Sequence, residues 1–174
     1  MFGQPALAVV LYGVLGLTLL VSALLAGRHR RALQVGLGAV CVLWVLAGAL
    51  VNLLTLWSGE DYRGFADAGI APFVRASWES LVVPHAGLFI GLLIAGEAVA
   101  GVAVLVPGRL RRSALWALIA FTITLLWFGW YYLPWAVIGT TSLALLLRAD
   151  RRWSGRPAGQ AGARNAVSAS AYIT

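Results

Sequence analysis

The sequence predicts an all-α integral membrane protein, a bundle of five transmembrane helices with its N-terminus outside and its C-terminus in the cytoplasm. Three observations predict it. The 174 residues are 61% hydrophobic and only 11% charged, whereas soluble domains average about 45–50% apolar and about 25% charged. The apolar residues fall into long runs of about the 20 residues that cross a hydrocarbon core about 30 Å thick. The basic residues are all arginine, and 11 of the 13 collect after the first, third and fifth of these runs.

The first run covers residues 5–26. A signal peptide competes with this reading, because the run ends in ALLAG. A signal peptide carries a basic segment ahead of its apolar core, however, and no Arg precedes Arg28. The basic group Arg28, Arg30 and Arg31 follows the run instead, as expected for a retained helix that enters from outside. The second run covers residues 33–57 and the third 83–106, with an outer loop at 58–82 between them. The apolar tract that begins near Ala114 and ends at Leu147 is too long for one crossing, since about 34 residues would make about 50 Å of helix. Pro134 lacks a backbone donor and disfavours helix at the residue before it, so it divides the tract into a fourth helix at 113–132 and a fifth at 134–147. Residues 1–152 form the helical domain. The Gly-, Ala- and Ser-rich stretch 153–174 is expected to be a disordered cytoplasmic tail, which Asp150 adjoins.

Charge supports five crossings. Arg28, Arg30 and Arg31, then Arg109, Arg111 and Arg112, then Arg148, Arg151, Arg152, Arg156 and Arg164 all fall on one side, leaving Arg63 and Arg75 in the outer loop. The same pattern accounts for the net charge of +7 without a nucleic-acid partner. Too few polar residues remain for a separate soluble catalytic domain. No nucleophile–base pair, metal-ligand set or phosphate loop stands out, so no catalysis by the chain alone is expected. Cys41 is the one cysteine, which excludes an internal disulfide.

Glu97, in LLIAGEAVAGVAVL, lies about ten residues from the cytoplasmic end of the third helix and so near the midplane. An ionised carboxylate there costs about 2.5–3.5 kcal/mol on the insertion scale. It is therefore expected to be protonated or paired. Counting to the same depth on the other helices brings Thr18, Trp44, Thr122, Thr124, Thr140 and Thr141 to its level as a polar layer. Two readings stand: interhelical hydrogen bonding, and proton handling or anchoring of an amphipathic ligand such as a quinone or lipid headgroup. His85 opens the third helix at the outer interface, about 18 Å along the helix from Glu97, too far for the two to share a metal ion. It reads as an interfacial polar group, a proton relay or a donor to a quinone carbonyl. Trp127, Trp130, Tyr131, Tyr132 and Trp135 read as an interfacial aromatic belt or a ring-binding cleft. Gly87 and Gly91 form GxxxG, which would make the third helix the centre of the bundle. The stretch from Phe65 to Pro84 reads as an amphipathic outer segment that could cap a cavity above Glu97 or dock a partner.

From about residue 35 to 150, the order of features resembles the DoxX-like family of small bacterial membrane proteins. These features are an outer FADAGIAPFV, a glutamate-bearing IAGEAVAGVAVLVPG, the turn RLRR and two further apolar helices. The resemblance implies a four-helix unit, here with one added N-terminal helix, in the bacterial plasma membrane. It also implies a membrane subunit that supports a redox or quinone-linked complex, with Glu97 as the family's intramembrane glutamate and a quinone as the cofactor to consider. Partners would be the bilayer and other membrane or redox subunits, or further copies of the chain. A non-catalytic scaffold or assembly subunit is the alternative. A small-molecule transporter is a weaker one, because no inverted repeat is visible.

Overall fold

The structure is a computed structural model and describes residues 6–60 and 62–155, with side chains from residue 10 onward. It is all-helical, with no strand among the described residues. Helix α1 is Ala6–Ala26, of 21 residues. Four further helices are long and apolar enough to cross a membrane: α2 (Arg30–Trp57), α3 (Pro72–Ala103), α4 (Arg109–Phe128) and α5 (Trp130–Ser154). Leu, Ala and Val dominate them, and chain reversals fall where those residues give out. The amides of Arg28 and His29 both donate to Leu25 O, so α1 turns directly into α2. Gly108, at φ 96°, takes a left-handed backbone that residues with a Cβ avoid, and it starts α4 after a tight turn.

The core lies between α1, α2, α4 and α5, around the fully buried Leu19, Val40, Leu115, Leu143 and Leu146. The centre is α2, which packs against α1, α3 and α5. It approaches closely at Gly36, where a Cβ would lie 2.7 Å from Leu146 Cδ2. This corrects the expectation that the third helix is central. Around Gly87 and Gly91 a Cβ would meet nothing within 4 Å, and Leu88, Leu92 and Val99 are exposed. The packing face of α3 is instead the stripe Ile90, Glu97 and Gly101, and Gly101 sits against Trp44 and Val45 of α2.

Element boundaries also move. Helix α3 starts at Pro72, so half of the expected outer loop is helix. Pro72 stands in its first turn, where a missing donor costs nothing. Pro84 is carried inside α3 by a π-helical turn at Trp78–Val82 and a 3-10 turn at Val83–His85, which together absorb the lost hydrogen bond. The break between α4 and α5 lies at Gly129 (φ 144°, ψ 153°), not Pro134, which sits harmlessly in the first helical turn at Leu133–Ser154. Helix α5 runs on to Ser154, past the expected end at 147, so Trp153 is helical. The remaining part of the expected tail, 156–174, lies outside the described residues, as do Arg156, Arg164 and Asp61.

The extension of α5 has a cause in Asp150, which is a buried helix residue, 2% exposed, and no part of a tail. Arg111 Nη1 meets its Oδ1 at 2.8 Å and Arg112 Nε its Oδ2 at 3.0 Å. Arg111 also donates to Val104 O at 2.8 Å and Leu105 O at 3.1 Å, meeting the C-cap carbonyl of α3 and the first carbonyl of the turn beyond it. One carboxylate thus ties α5, α4 and the α3–α4 turn together, while Trp153 Nε1 donates to Ala26 O at 2.9 Å and adds α1. Asp150→Ala should destabilise the fold by about 3 kcal/mol, because it strands a mostly buried arginine. By contrast, Arg75→Ala, at the exposed Arg75–Glu79 pair (2.7 Å), should leave the unfolding temperature close to that of wild type. Thermal unfolding in one detergent compares the two.

Candidate functional site

Glu97 is placed by α3 against the π-helical stretch Leu43–Leu50 of α2 and is 8% exposed. Asn52 Nδ2 donates to its Oε2 at 3.0 Å. Gly48 makes the room. A Cβ there would lie 3.0 Å from the Glu97 carboxyl carbon and from Oε1, inside van der Waals contact. From α1, Tyr12 reaches over and its hydroxyl donates to Ala47 O. Small residues at 47 and 48 therefore let a phenol and a carboxyl meet one wide helical turn, the kind of local π geometry that recurs at functional sites.

Above the carboxyl is a cavity of about 410 Å³. Its polar end is Tyr12, Asn52 and Glu97, and Trp44 and Trp135 flank it with ring centroids 6.5 Å apart. The connection between α2 and α3 folds over it as a strap carrying Tyr62 and Phe65, which meet Trp78 in the first turns of α3. Tyr62 OH donates to Asn52 O at 3.0 Å, and Trp78 Nε1 donates to Tyr62 O at 2.8 Å. Phe65 stacks on Trp78 at 4.9 Å, and both rings pack on Phe128, at 5.1 and 5.2 Å. Tyr62 has φ 54°, the one positive φ outside glycine among the described residues, so these contacts hold a strained backbone in place. Burial, and then the nearby Glu60, push its phenol up from the ordinary value, keeping it a donor. The strap is pinned by Ile70 N to Trp127 O at 3.0 Å. At Gly129 a Cβ would lie 3.1 Å from Ala68 O and 2.5 Å from the Tyr131 ring. Glycine there serves both the φ of 144° and the close approach.

The expected polar layer does not assemble around Glu97. Thr18, Thr122 and Thr124 donate to Val14 O, Leu118 O and Phe121 O of their own helices at 2.7–2.8 Å. Thr140 Oγ1 is buried without a partner among the described residues, and Thr141 is exposed. Of that set only Trp44 lines the cavity. The cause is unequal reach. With Gly101 beside Trp44, the arginine-side end of α3 is level with residue 43 or so of α2, which continues about 18 Å further to Arg30. Depths counted from the arginine ends are misaligned by that length. Glu97 is level with Gly48 and Asn52, between the middle of α2 and its Trp57 end. Of the expected outer rim, Trp135 turns into the cavity, whereas His85, Trp127, Tyr131 and Trp130 (78% exposed) face outward. Asn52, Tyr12, Gly48 and Tyr62 were missed, whereas Phe65 and Trp78 lie in the outer stretch read as a cap over Glu97 or a docking surface. Asn52 carried a legible signal as the only asparagine before residue 165.

The chain matches no family model, no curated protein and no solved structure. Among the described residues no three of His, Cys, Asp and Glu come together as a metal-ligand set. Chemically, the arrangement offers one carboxyl, hydrogen-bonded once, facing aromatic surface. Gly48→Val should push that carboxyl off Asn52 and cost about 1–3 kcal/mol by overpacking. Gly87→Ala, in open space, should stay within about 0.5 kcal/mol of wild type. Thermal unfolding of the two variants reads the difference.

Proposed function

We propose that the chain is a multi-pass protein of the bacterial plasma membrane that crosses five times with its N-terminus outside. Its cavity would hold the head of an amphipathic small molecule or lipid, in the manner of a DoxX-like membrane subunit that supports a redox or quinone-linked partner. Four helices of sufficient length and apolarity support insertion. The 21 residues of α1 would add a fifth crossing of about 30 Å. Arginines at 28–31, 109–112 and 148–152 on one end support the orientation. The observation that carries the functional reading is the cavity itself. At about 410 Å³ it has the size of a small-molecule site, and its polar groups converge at one end of an apolar, ring-lined space.

A non-catalytic scaffold is the second reading. It is favoured by the open face of α3 at Gly87, Leu88, Gly91 and Leu92, which a neighbouring subunit or a second copy could cover.

Native mass spectrometry after mild-detergent extraction tests both, using wild type and Glu97→Gln. A quinone, lipid or redox subunit retained by wild type and lost from the variant is expected. Retention of every companion by the variant, with unchanged thermal stability, refutes a role for Glu97, and a stability loss alone favours the scaffold. For topology, a cysteine placed at Ser154 in a Cys41→Ser background should react with a membrane-impermeant maleimide only after the cells are opened.

A further inference from the structure

We propose that the Glu97 cavity binds the positively charged nitrogen of an amphiphile, a quaternary or protonated ammonium on an apolar stem, held by a carboxylate set in an aromatic box. This rests on the reading of the cavity as a ligand site and narrows the ligand to one chemical class.

Charge is the first argument. Among the described residues Glu97 is the one acid lining the cavity, and neither Arg nor His lines it. Its hydrogen-bond partner, Asn52, is neutral. A carboxylate enclosed in apolar surroundings is costly unless it takes up a proton or a cation joins it, so a cationic ligand would compete with protons for this group. Ring faces are the second. Trp44 and Trp135, with centroids 6.5 Å apart, and the stacked Phe65 and Trp78 all line the cavity. A cation within about 6 Å of such faces is attracted by their quadrupoles, most strongly when stripped of water, and indole binds best. Donor supply is the third. The hydroxyl of Tyr12 is committed to Ala47 O, that of Tyr62 to Asn52 O, Trp78 Nε1 to Tyr62 O, and Asn52 Nδ2 to Glu97 itself. A neutral ligand that arrives with carbonyl acceptors is left the second N–H of Asn52 and the indole N–H groups of Trp44 and Trp135, whereas a quaternary ammonium needs no donor at all. The volume suits a trimethylammonium group with a ring or short chain attached. Val51 and Phe89, each 39% exposed, form part of the wall, so an apolar stem can pass to the outside of the bundle between α2 and α3.

The test is titration of the full chain, in nanodiscs of phosphatidylglycerol, with benzyltrimethylammonium, read by tryptophan fluorescence. Benzylsulfonate and a short-chain quinone serve as anionic and neutral comparators. Saturable binding of the ammonium is expected, weakened at least about tenfold in Glu97→Gln and several-fold in Trp78→Leu. Should Glu97→Gln fail to fold, the wild type alone decides. Because the probe has no proton to lose, its affinity should fall on acidification as protons compete for Glu97. The other titratable groups lining the cavity, Tyr12, Tyr62 and Tyr132, are phenols and stay neutral over that range. Adding phosphatidylethanolamine to the nanodisc separates the sources: competition with the probe identifies a lipid headgroup, and no competition identifies a free amine. An ammonium affinity equal in wild type and Glu97→Gln, an affinity indifferent to acid, or equal binding of benzylsulfonate overturns the proposal. A quinone that binds saturably where the ammonium does not overturns it too, while leaving the cavity a ligand site. Binding of neither removes both readings.

Discussion

A carboxyl group enclosed among apolar helices must receive its polar contacts from the protein, and each contact constrains the backbone that supplies it. Glu97 imposes that condition here. Room for its head requires glycine at 48, and its hydrogen bond requires Asn52 to face inward from the same helix. The Asn52 carbonyl in turn receives Tyr62, whose own carbonyl receives Trp78. The roof of the cavity is thus tied, bond by bond, to the group on its floor.

The chain buries a second acid by the opposite solution. Asp150 is met by two guanidinium groups, one of which also caps the end of a helix. Such a site is satisfied and needs nothing further from a ligand. Glu97 has a single neutral donor. The contrast between two acids in one small bundle separates a clamp from a site, and it does so on partners alone, without reference to depth or exposure.

Much of this was legible in the sequence. The helices follow from apolar run length, and Glu97 stood out as the one acid deep within a run. The cavity walls did not, for identifiable reasons. Periodicity shows that a helix exists but not how far it slides along its neighbour, and the displacement of α3 along α2 moves Glu97 from the expected level of Trp44 to that of Gly48 and Asn52. Threonine inside a helix can satisfy its hydroxyl on its own preceding turn, as Thr18 and Thr122 do, so a threonine at the right depth is weak evidence of a polar layer. The GxxxG spacing of Gly87 and Gly91 is equally ambiguous. Small residues permit close approach but do not summon a neighbour, and among the described residues none comes. The helical break was assigned to Pro134 because proline is the stronger breaker in a helix interior. At the first turn it is harmless, and Gly129, free to adopt a φ of 144°, turns the chain instead.

The left-handed backbone at Tyr62 bears on timing. Lifting the strap would break the hydrogen bonds that this residue accepts and donates, at about 1 kcal/mol each. It would also let the residue relax to an ordinary conformation and recover about 1–2 kcal/mol. The two nearly offset each other. What remains to resist opening is the stack of Phe65, Trp78 and Phe128 together with the bond from Ile70 N to Trp127 O, so the dwell time of anything beneath the strap would be set by those rings and that pin and not by the hydrogen bonds of Tyr62.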